Sequence, residues 1–380
     1  MHYNDQQPDP KKHNTNTYLL IVGIFLVVAG SIPLFWFFNI GYFSHEEKAP
    51  PYGGEDISLL LEGESVASKL YNEARVLRRD IHDYKSAIQK YEQVLQMTEN
   101  HTQRGQILYE IGLAYEVSER EQTAISYFKQ VATNSDISNL LRASAIEHLG
   151  QIYFARYDQD VFSEIFKGDL FSEFLVFGDP TASIRNMFEY GTSLYPSAYM
   201  ELRLANWYAQ DLLRADLSAF NNLSPADVRE LIRQKVENAD SDITSFKEAY
   251  NTGGRVSIYY LRKAELAGKL ERLGINFLGD PEELFKKAFE ESKVVGTNVT
   301  GAFALYNFAV YLAYNDPDSR AGEIKTLLSI LLSGTYQDTV FSEFLKNAKQ
   351  FPEERENVIL LARIDSLFKE TLIEKFDWDL

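Results

Sequence analysis

The pattern of apolar and polar positions sets one segment apart from the rest of the chain. Residues 18–43 contain no formally charged side chain and are mostly Leu, Ile, Val and Phe. About 20 apolar residues in a helix are enough to cross a hydrocarbon core of roughly 30 Å. Aromatic rings at both ends, Tyr18, Trp36 and Tyr42, match the preference of such rings for membrane interfaces. The pattern therefore predicts a transmembrane helix over residues 18–40.

The charges around this segment predict its orientation. Lys11 and Lys12 precede it, and a mixed acidic and basic stretch follows it, so residues 1–17 are expected to form a disordered cytoplasmic tail and the C-terminal domain to be extracytoplasmic. The opposite orientation stays open as an alternative.

A cleaved signal peptide usually has an apolar core of about 7–15 residues that ends in small residues. The run here is longer and ends in bulky aromatics, which favours an uncleaved anchor, and the Pro- and Gly-rich residues 41–56 are interpreted as a linker.

Beyond residue 57 the apolar positions recur every three or four residues, which predicts helices. Two segments, 83–95 and 120–132, align with each other 37 residues apart. Each places a small residue, an aromatic and a valine on one helix face; these are Ala87, Tyr91 and Val94, then Ala124, Phe128 and Val131. Gly112 and Gly150 occupy equivalent places in ILYEIGLAY and AIEHLGQIY, although glycine costs a helix roughly 1 kcal/mol relative to alanine. Their positions predict close helix crossings with no room for a side chain.

These residues resemble the tetratricopeptide repeat (TPR), a helix-turn-helix unit of about 34 residues. Residues 108–132 match its pattern best, and further copies are found at 68–100, from 144 onward and at 193–210. The resemblance implies TPR-like repeats over 57–215, stacked as antiparallel helix pairs into an α-solenoid.

Residues 216–380 are expected to continue the solenoid as a degenerate helical repeat region. Helix starts are predicted at Pro225, Pro281 and Pro352, each followed by acidic residues. No stretch shows sustained alternation of period two, so the predicted fold class is all-α, preceded by the one transmembrane helix.

The amino-acid composition excludes several kinds of functional site. The chain has no cysteine, which excludes disulfides, thiol nucleophiles, cysteine-ligated zinc and iron-sulfur clusters. A net charge of −17 argues against nucleic-acid binding, which requires clustered Lys and Arg. The histidines form no metal-binding motif, and acidic pairs such as Glu353 and Glu354 are interpreted as ordinary first-turn residues of helices. We therefore expect no catalytic residue, no metal and no cofactor.

The sequence predicts a membrane-anchored scaffold that binds protein or peptide partners on a concave face. Because first helices line the concave side of TPR units, the resemblance assigns partner contact to Tyr71, Tyr109, Glu110 and Asn206. The order of domains is similar to that of TPR-bearing accessory proteins of bacterial secretion and envelope assembly. The alternative is an extracytoplasmic enzyme, or a glycan- or peptide-binding protein, with a pocket in the C-terminal half; two buried carboxylates converging in a deep cleft would favour the enzyme.

Overall fold

The computed structural model describes residues 65–118, 120–156, 158–215, 223–250, 254–295, 298–333 and 339–380. These residues are helical and contain no β-strand, which confirms the predicted all-α class. The predicted tail, the predicted transmembrane segment 18–40 and the predicted linker lie outside the described residues. Within the described ranges, no helix combines the length and the apolar character that crossing a bilayer requires.

Seventeen α-helices are found in the described part of the chain. The first nine are α1 (Val66–Val76), α2 (Tyr84–Met97), α3 (His101–Val117), α4 (Glu121–Thr133), α5 (Asn139–Arg156), α6 (Gln159–Ile165), α7 (Asp169–Ser172), α8 (Pro180–Leu194) and α9 (Ala198–Arg214). The others are α10 (Pro225–Tyr250), α11 (Gly254–Arg272), α12 (Pro281–Val295), α13 (Asn298–Asn315), α14 (Ala321–Leu332), α15 (Thr339–Asn347), α16 (Pro352–Ile364) and α17 (Ser366–Phe376). A π-helical turn, Leu77–Ile81, follows α1, and a 3-10 turn, Ala348–Gln350, precedes α16.

Local sequence explains where the helices begin. α10, α12 and α16 start at the predicted prolines, where the missing N–H is not needed by the helix. Before α10, the Ser224 hydroxyl accepts the Asp227 N–H at 3.2 Å, and the Asp227 carboxylate accepts the Ser224 N–H at 2.9 Å. This reciprocal pair is a capping box, which satisfies two backbone donors at the helix end.

The predicted packing stripes and close crossings are confirmed. Ala87, Tyr91 and Val94 are fully buried, as are Ala124, Phe128 and Val131. A Cβ atom added at Gly112 would lie 2.8 Å from Cε1 of Phe128, and one added at Gly150 would overlap the ring of Phe188. Both glycines therefore allow an aromatic ring of another helix to lie directly on the helix backbone.

Most helices pack against their neighbours in the chain, but the C-terminal helices also reach back to the middle of it. α5 packs against α15, and the rings of Tyr153 and Phe351 lie 6.3 Å apart. In an open solenoid each repeat contacts only its neighbours. This long-range packing departs from the expected simple continuation of the solenoid over 216–380, and it forms part of the wall of a partly open cavity between the two parts.

Candidate functional site

All four residues assigned to partner contact are buried. Tyr71 is 2% exposed and packs edge-on against Tyr91, with ring centroids 5.7 Å apart. Tyr109 is 4% exposed and lies against Phe128 and His148, because helices α4 and α5 cover its face of α3. Neither side chain is open to a partner, so these assignments do not define a binding surface.

Glu110, the third of these residues, belongs to a buried ion pair. Its carboxylate accepts hydrogen bonds from Arg78 at 2.8 Å and from the Tyr91 hydroxyl at 3.2 Å, and Arg79 lies at 3.7 Å. Burial alone raises the pKa of Glu110, but Arg78, Arg79 and Arg75 outweigh it and lower the pKa to about 2. The carboxylate therefore links α3 to the turn that follows α1, which is a structural role.

Asn206, the fourth residue, lines a cavity of about 1100 Å³. The walls come mainly from α5, α8, α9, α11, α13 and α16, together with the loop before α8. Aromatic rings form much of the apolar lining, among them Phe154, Tyr199, Trp207, Phe303, Tyr306 and Phe351. Pockets for small ligands usually measure about 300–1,000 Å³. The size of this cavity is at the upper end of that range, so it has room for a large small molecule or a short polypeptide segment.

Helix α9 presents hydrogen-bonding groups to the cavity that the described residues do not satisfy. The Asn206 amide nitrogen donates to the carbonyl oxygens of Leu202 at 2.9 Å and Arg262 at 3.0 Å, but its Oδ1 has no partner there. One turn later, Oε1 of Gln210 also has none, and neither does the Arg262 Nε–H on α11. A buried polar group without a partner costs roughly 1–3 kcal/mol, so these groups favour a ligand that supplies both donors and acceptors.

Charges of both signs line the cavity, and many are paired. Arg185 donates to Asp211 at 2.7 Å, and Arg262 donates to both oxygens of Glu265 at 2.7 and 3.0 Å. Lys269 of α11 lies 3.3 Å from Glu353 of α16. The Lys269–Glu353 pair joins two helices that are far apart in sequence, whereas Arg262 and Glu265 lie on the same helix.

Several arginines that line the cavity also lie over aromatic rings. The guanidinium carbon of Arg203 is 4.4 Å from the centre of the Phe154 ring, and that of Arg272 is 4.8 Å from the centre of the Tyr314 ring. Such contacts hold a planar cation against an apolar wall.

Glu353 and Glu354, at the start of α16, have pKa values displaced in opposite directions. Burial alone raises the pKa of Glu353, but Lys269 and Arg214 outweigh it and hold the pKa below its ordinary value. Burial, with Glu353 and Glu265 beside it, raises the pKa of Glu354 to about 7, although Arg203 opposes the shift. The predicted placement in the first helical turn is confirmed. Their position in a cavity was not predicted, because nothing in the local sequence relates residue 354 to residues 203 and 265.

The rim of the cavity carries an exposed aromatic residue. Phe177 is 93% exposed and precedes Gly178, whose φ of +79° lies in the left-handed region that favours glycine. The ring is therefore available to a ligand that enters the cavity.

The described residues contain no group of three or more His, Asp or Glu side chains placed to hold a metal ion. His148 is buried, bonds to Glu116 at 2.9 Å and stacks on Phe128, so its surroundings are those of a packing residue. Comparison of the sequence with protein-family models and with curated proteins gives no match.

Proposed function

We propose that this chain is a membrane-anchored helical-repeat protein that holds an extended segment of a protein partner in its cavity. The observation that carries the proposal is the cavity itself, with its aromatic lining and its unsatisfied buried acceptors on α9. In the proposal, TPR-like repeats over 57–215 and the degenerate region 216–380 together frame the site. The anchor is residues 18–40, with the N-terminus cytoplasmic and the binding domain extracytoplasmic.

The spacing of the acceptors supports a polypeptide ligand. Asn206 and Gln210 are four residues apart on α9, which places them about 6 Å apart along the helix axis. In an extended peptide, N–H groups on one side recur about every 6.6–6.8 Å. Two neighbouring N–H groups on the same side of such a segment could therefore donate hydrogen bonds to both acceptors. A carbonyl oxygen of the peptide could accept a hydrogen bond from the Arg262 Nε–H.

Selection from a peptide library tests this proposal. Peptides enriched by the purified 380-residue chain are expected to bind a Gln210→Leu variant at least tenfold more weakly, because leucine fills the space but accepts no hydrogen bond. Gln130→Leu is the matched control, since Gln130 is exposed on α4 and does not line the cavity. Peptides that bind both variants equally well, or the absence of any enriched peptide, would contradict the proposal.

The membrane anchor needs a separate test. A chain anchored by residues 18–40 is expected to stay in the membrane pellet after alkaline carbonate extraction, and its large domain to be digested by protease added to spheroplasts. Release into the supernatant would contradict the anchor, and protection from protease would reverse the orientation.

A second candidate is an enzyme that cleaves a glycan or a peptide within the cavity. It is favoured by one observation, the opposite pKa displacements of Glu353 and Glu354, because neighbouring carboxyls with separated pKa values can divide acid and base roles. Release of new reducing ends or amines from envelope polymers, abolished in Glu354→Gln, would support it. Unchanged polymers after incubation with the chain would leave the binding protein as the better account.

A further inference from the structure

Four apolar residues lie close together in sequence at the rim of the cavity. They belong to the loop before α8 and to the first residue of α8, and all of them line the cavity; they are Leu175, Val176, Phe177 and Pro180. Phe177 is 93% exposed and Val176 is 37% exposed. Single exposed apolar residues are ordinary on protein surfaces, but here two consecutive ones lie beside a cavity. We call these four residues the apolar lip.

A tight turn determines the backbone of the lip. The Asp179 N–H donates to the Val176 carbonyl oxygen at 3.1 Å, and Gly178, the third residue of this turn, has a φ of +79°. Phe177, the second residue, does not have a positive φ. This combination defines a type II turn, in which glycine is favoured at the third position. The Phe177 ring is therefore presented by a defined turn.

Ser183 of α8 holds this turn from the buried side. Its side chain is fully buried, and its hydroxyl accepts the Val176 N–H at 2.8 Å and donates to the Asp179 carbonyl oxygen at 2.9 Å. The Asp179 carboxylate accepts the Ala182 N–H at 2.9 Å, which caps the first turn of α8. The turn and the start of α8 are therefore one hydrogen-bonded unit, and this unit keeps Phe177 exposed.

The same helix fixes the lip relative to the acceptors on α9. Arg185, five residues after Pro180, donates to Asp211 at 2.7 Å, and Asp211 directly follows Gln210. Five helical residues span about 7.5 Å, which an extended polypeptide covers in about two to three residues. An extended segment whose N–H groups bond to Asn206 and Gln210 therefore reaches the lip about two to four residues further along.

We infer that the apolar lip contacts an apolar side chain of the bound segment, about two to four residues from the residue whose N–H bonds to Gln210. The inference rests on the proposed function, because it names a feature of the segment held in the cavity. The lip is part of the cavity wall, so the polypeptide that fills the cavity also covers the lip. Contact with an apolar side chain removes the Phe177 ring from water, and aromatic residues are frequent among those that carry most of the binding energy at an interface.

Library selection on three forms of the chain tests this inference. Random peptides of 12 residues are selected in parallel on the wild-type 380-residue chain, on Phe177→Ser and on Leu367→Ser. Leu367 is the matched control, because it is 57% exposed on α17 and does not line the cavity. Thermal unfolding of the three forms should nearly coincide, since both replaced side chains are mainly exposed.

We expect the peptides enriched on the wild type and on Leu367→Ser to share an apolar residue at one position, and those enriched on Phe177→Ser to lack this preference. Wild-type peptides should bind Phe177→Ser about tenfold more weakly, and Phe177→Leu should restore most of the affinity because leucine keeps the apolar contact. Peptides with single N-methylated bonds identify the N–H groups that binding requires. The shared apolar residue should lie within about four residues of them.

A double-mutant cycle shows whether the two side chains meet. Serine in place of the shared apolar residue of the peptide should weaken binding to the wild type about tenfold, but should have little further effect on binding to Phe177→Ser. Losses that simply add would overturn the inference, because additivity indicates side chains that do not interact.

The inference and the proposed function fail in different ways. Enriched peptides that bind Phe177→Ser as tightly as the wild type would overturn the inference alone, and the loss of affinity in Gln210→Leu would still support a segment held in the cavity. No enriched peptide on any of the three forms would remove the proposed function and the inference together.

Discussion

Glu110 is buried and Glu354 is half-buried, and their neighbours displace their pKa values in opposite directions. Glu110 faces Arg78 and Arg79, which hold its pKa at about 2, whereas Glu354 faces two other carboxylates and has a pKa of about 7. The first carboxyl is stabilised in its ionised form and the second in its protonated form. The two residues therefore predict different responses to mutation and to pH.

Replacing Glu110 by glutamine is expected to destabilise the fold by about 3–5 kcal/mol, because it leaves Arg78 buried without its charge partner. Urea unfolding at pH 7 measures the change. Glu73→Gln is the control, since its pair with Lys90 is largely exposed and such pairs contribute about 1 kcal/mol or less. Similar losses in both variants would contradict the structural role of the buried pair.

Glu110 also predicts a loss of stability in acid. Its pKa is lowered in the folded state, so its stabilising contribution is present above the ordinary carboxyl pKa of 4.5 and disappears as pH falls toward 2. The free energy of unfolding, measured by urea titration at pH 5, 4 and 3, should therefore fall more steeply for the wild type than for Glu110→Gln. Parallel curves would contradict the lowered pKa.

Glu354 predicts the reverse dependence near neutrality. Its pKa is raised in the folded state, so between pH 4.5 and pH 7 the folded chain holds a proton that the unfolded chain has lost. The stabilisation from this proton is lost as pH rises through 7. Relative to wild type, Glu354→Gln should be little changed at pH 5 and more stable at pH 8, by about 1–3 kcal/mol in urea unfolding. An equal difference at both pH values would contradict the assignment.

At the scale of the helices, the close crossing at Gly112 gives a packing prediction. An added methyl group would meet Phe128, which is fully buried, so Gly112→Ala should destabilise by about 1–2 kcal/mol despite the better helix propensity of alanine. Gly322→Ala in α14 is the matched control, since a methyl group there meets open space and should stabilise by up to about 1 kcal/mol. Thermal unfolding of both variants measures the contrast, and stabilisation by Gly112→Ala would contradict the crossing.

The helices and their buried faces were predictable from sequence because both depend on local spacing. Periodicity and proline placed the starts of α10, α12 and α16, and the glycine pattern placed the crossings at Gly112 and Gly150. Local spacing does not reveal which helix covers a given face. Tyr109 was therefore assigned to an open surface, whereas Phe128 and His148 cover it.

The cavity could not be predicted from local sequence patterns for the same reason. It depends on α16 packing near residues of α5, α9 and α11, which lie about 80 to 200 positions earlier in the chain. Of the four assigned residues, Asn206 alone lies at its wall. The acidic pair at Glu353 and Glu354 was correctly placed at a helix start, but its pKa displacements depend on these long-range neighbours.

At the scale of the whole molecule, the return of the C-terminal helices places α16 at the wall of a partly open cavity. The contact of Phe351 with Tyr153 and the ion pair of Glu353 with Lys269 join C-terminal residues to α5 and α11, which lie earlier in the chain. An open concave face would leave a partner segment largely in water. This cavity is partly shielded from water, and charged contacts are stronger where fewer water molecules surround the charges.

Photo-crosslinking from within the cavity tests the central claim most directly. A diazirine amino acid replaces Gln210, or Gln130 outside the cavity as the control, in the 380-residue chain expressed in its native cells. The account predicts a discrete protein adduct from position 210 alone. No protein adduct at position 210 above that at position 130 would contradict the claim that the cavity holds a polypeptide segment.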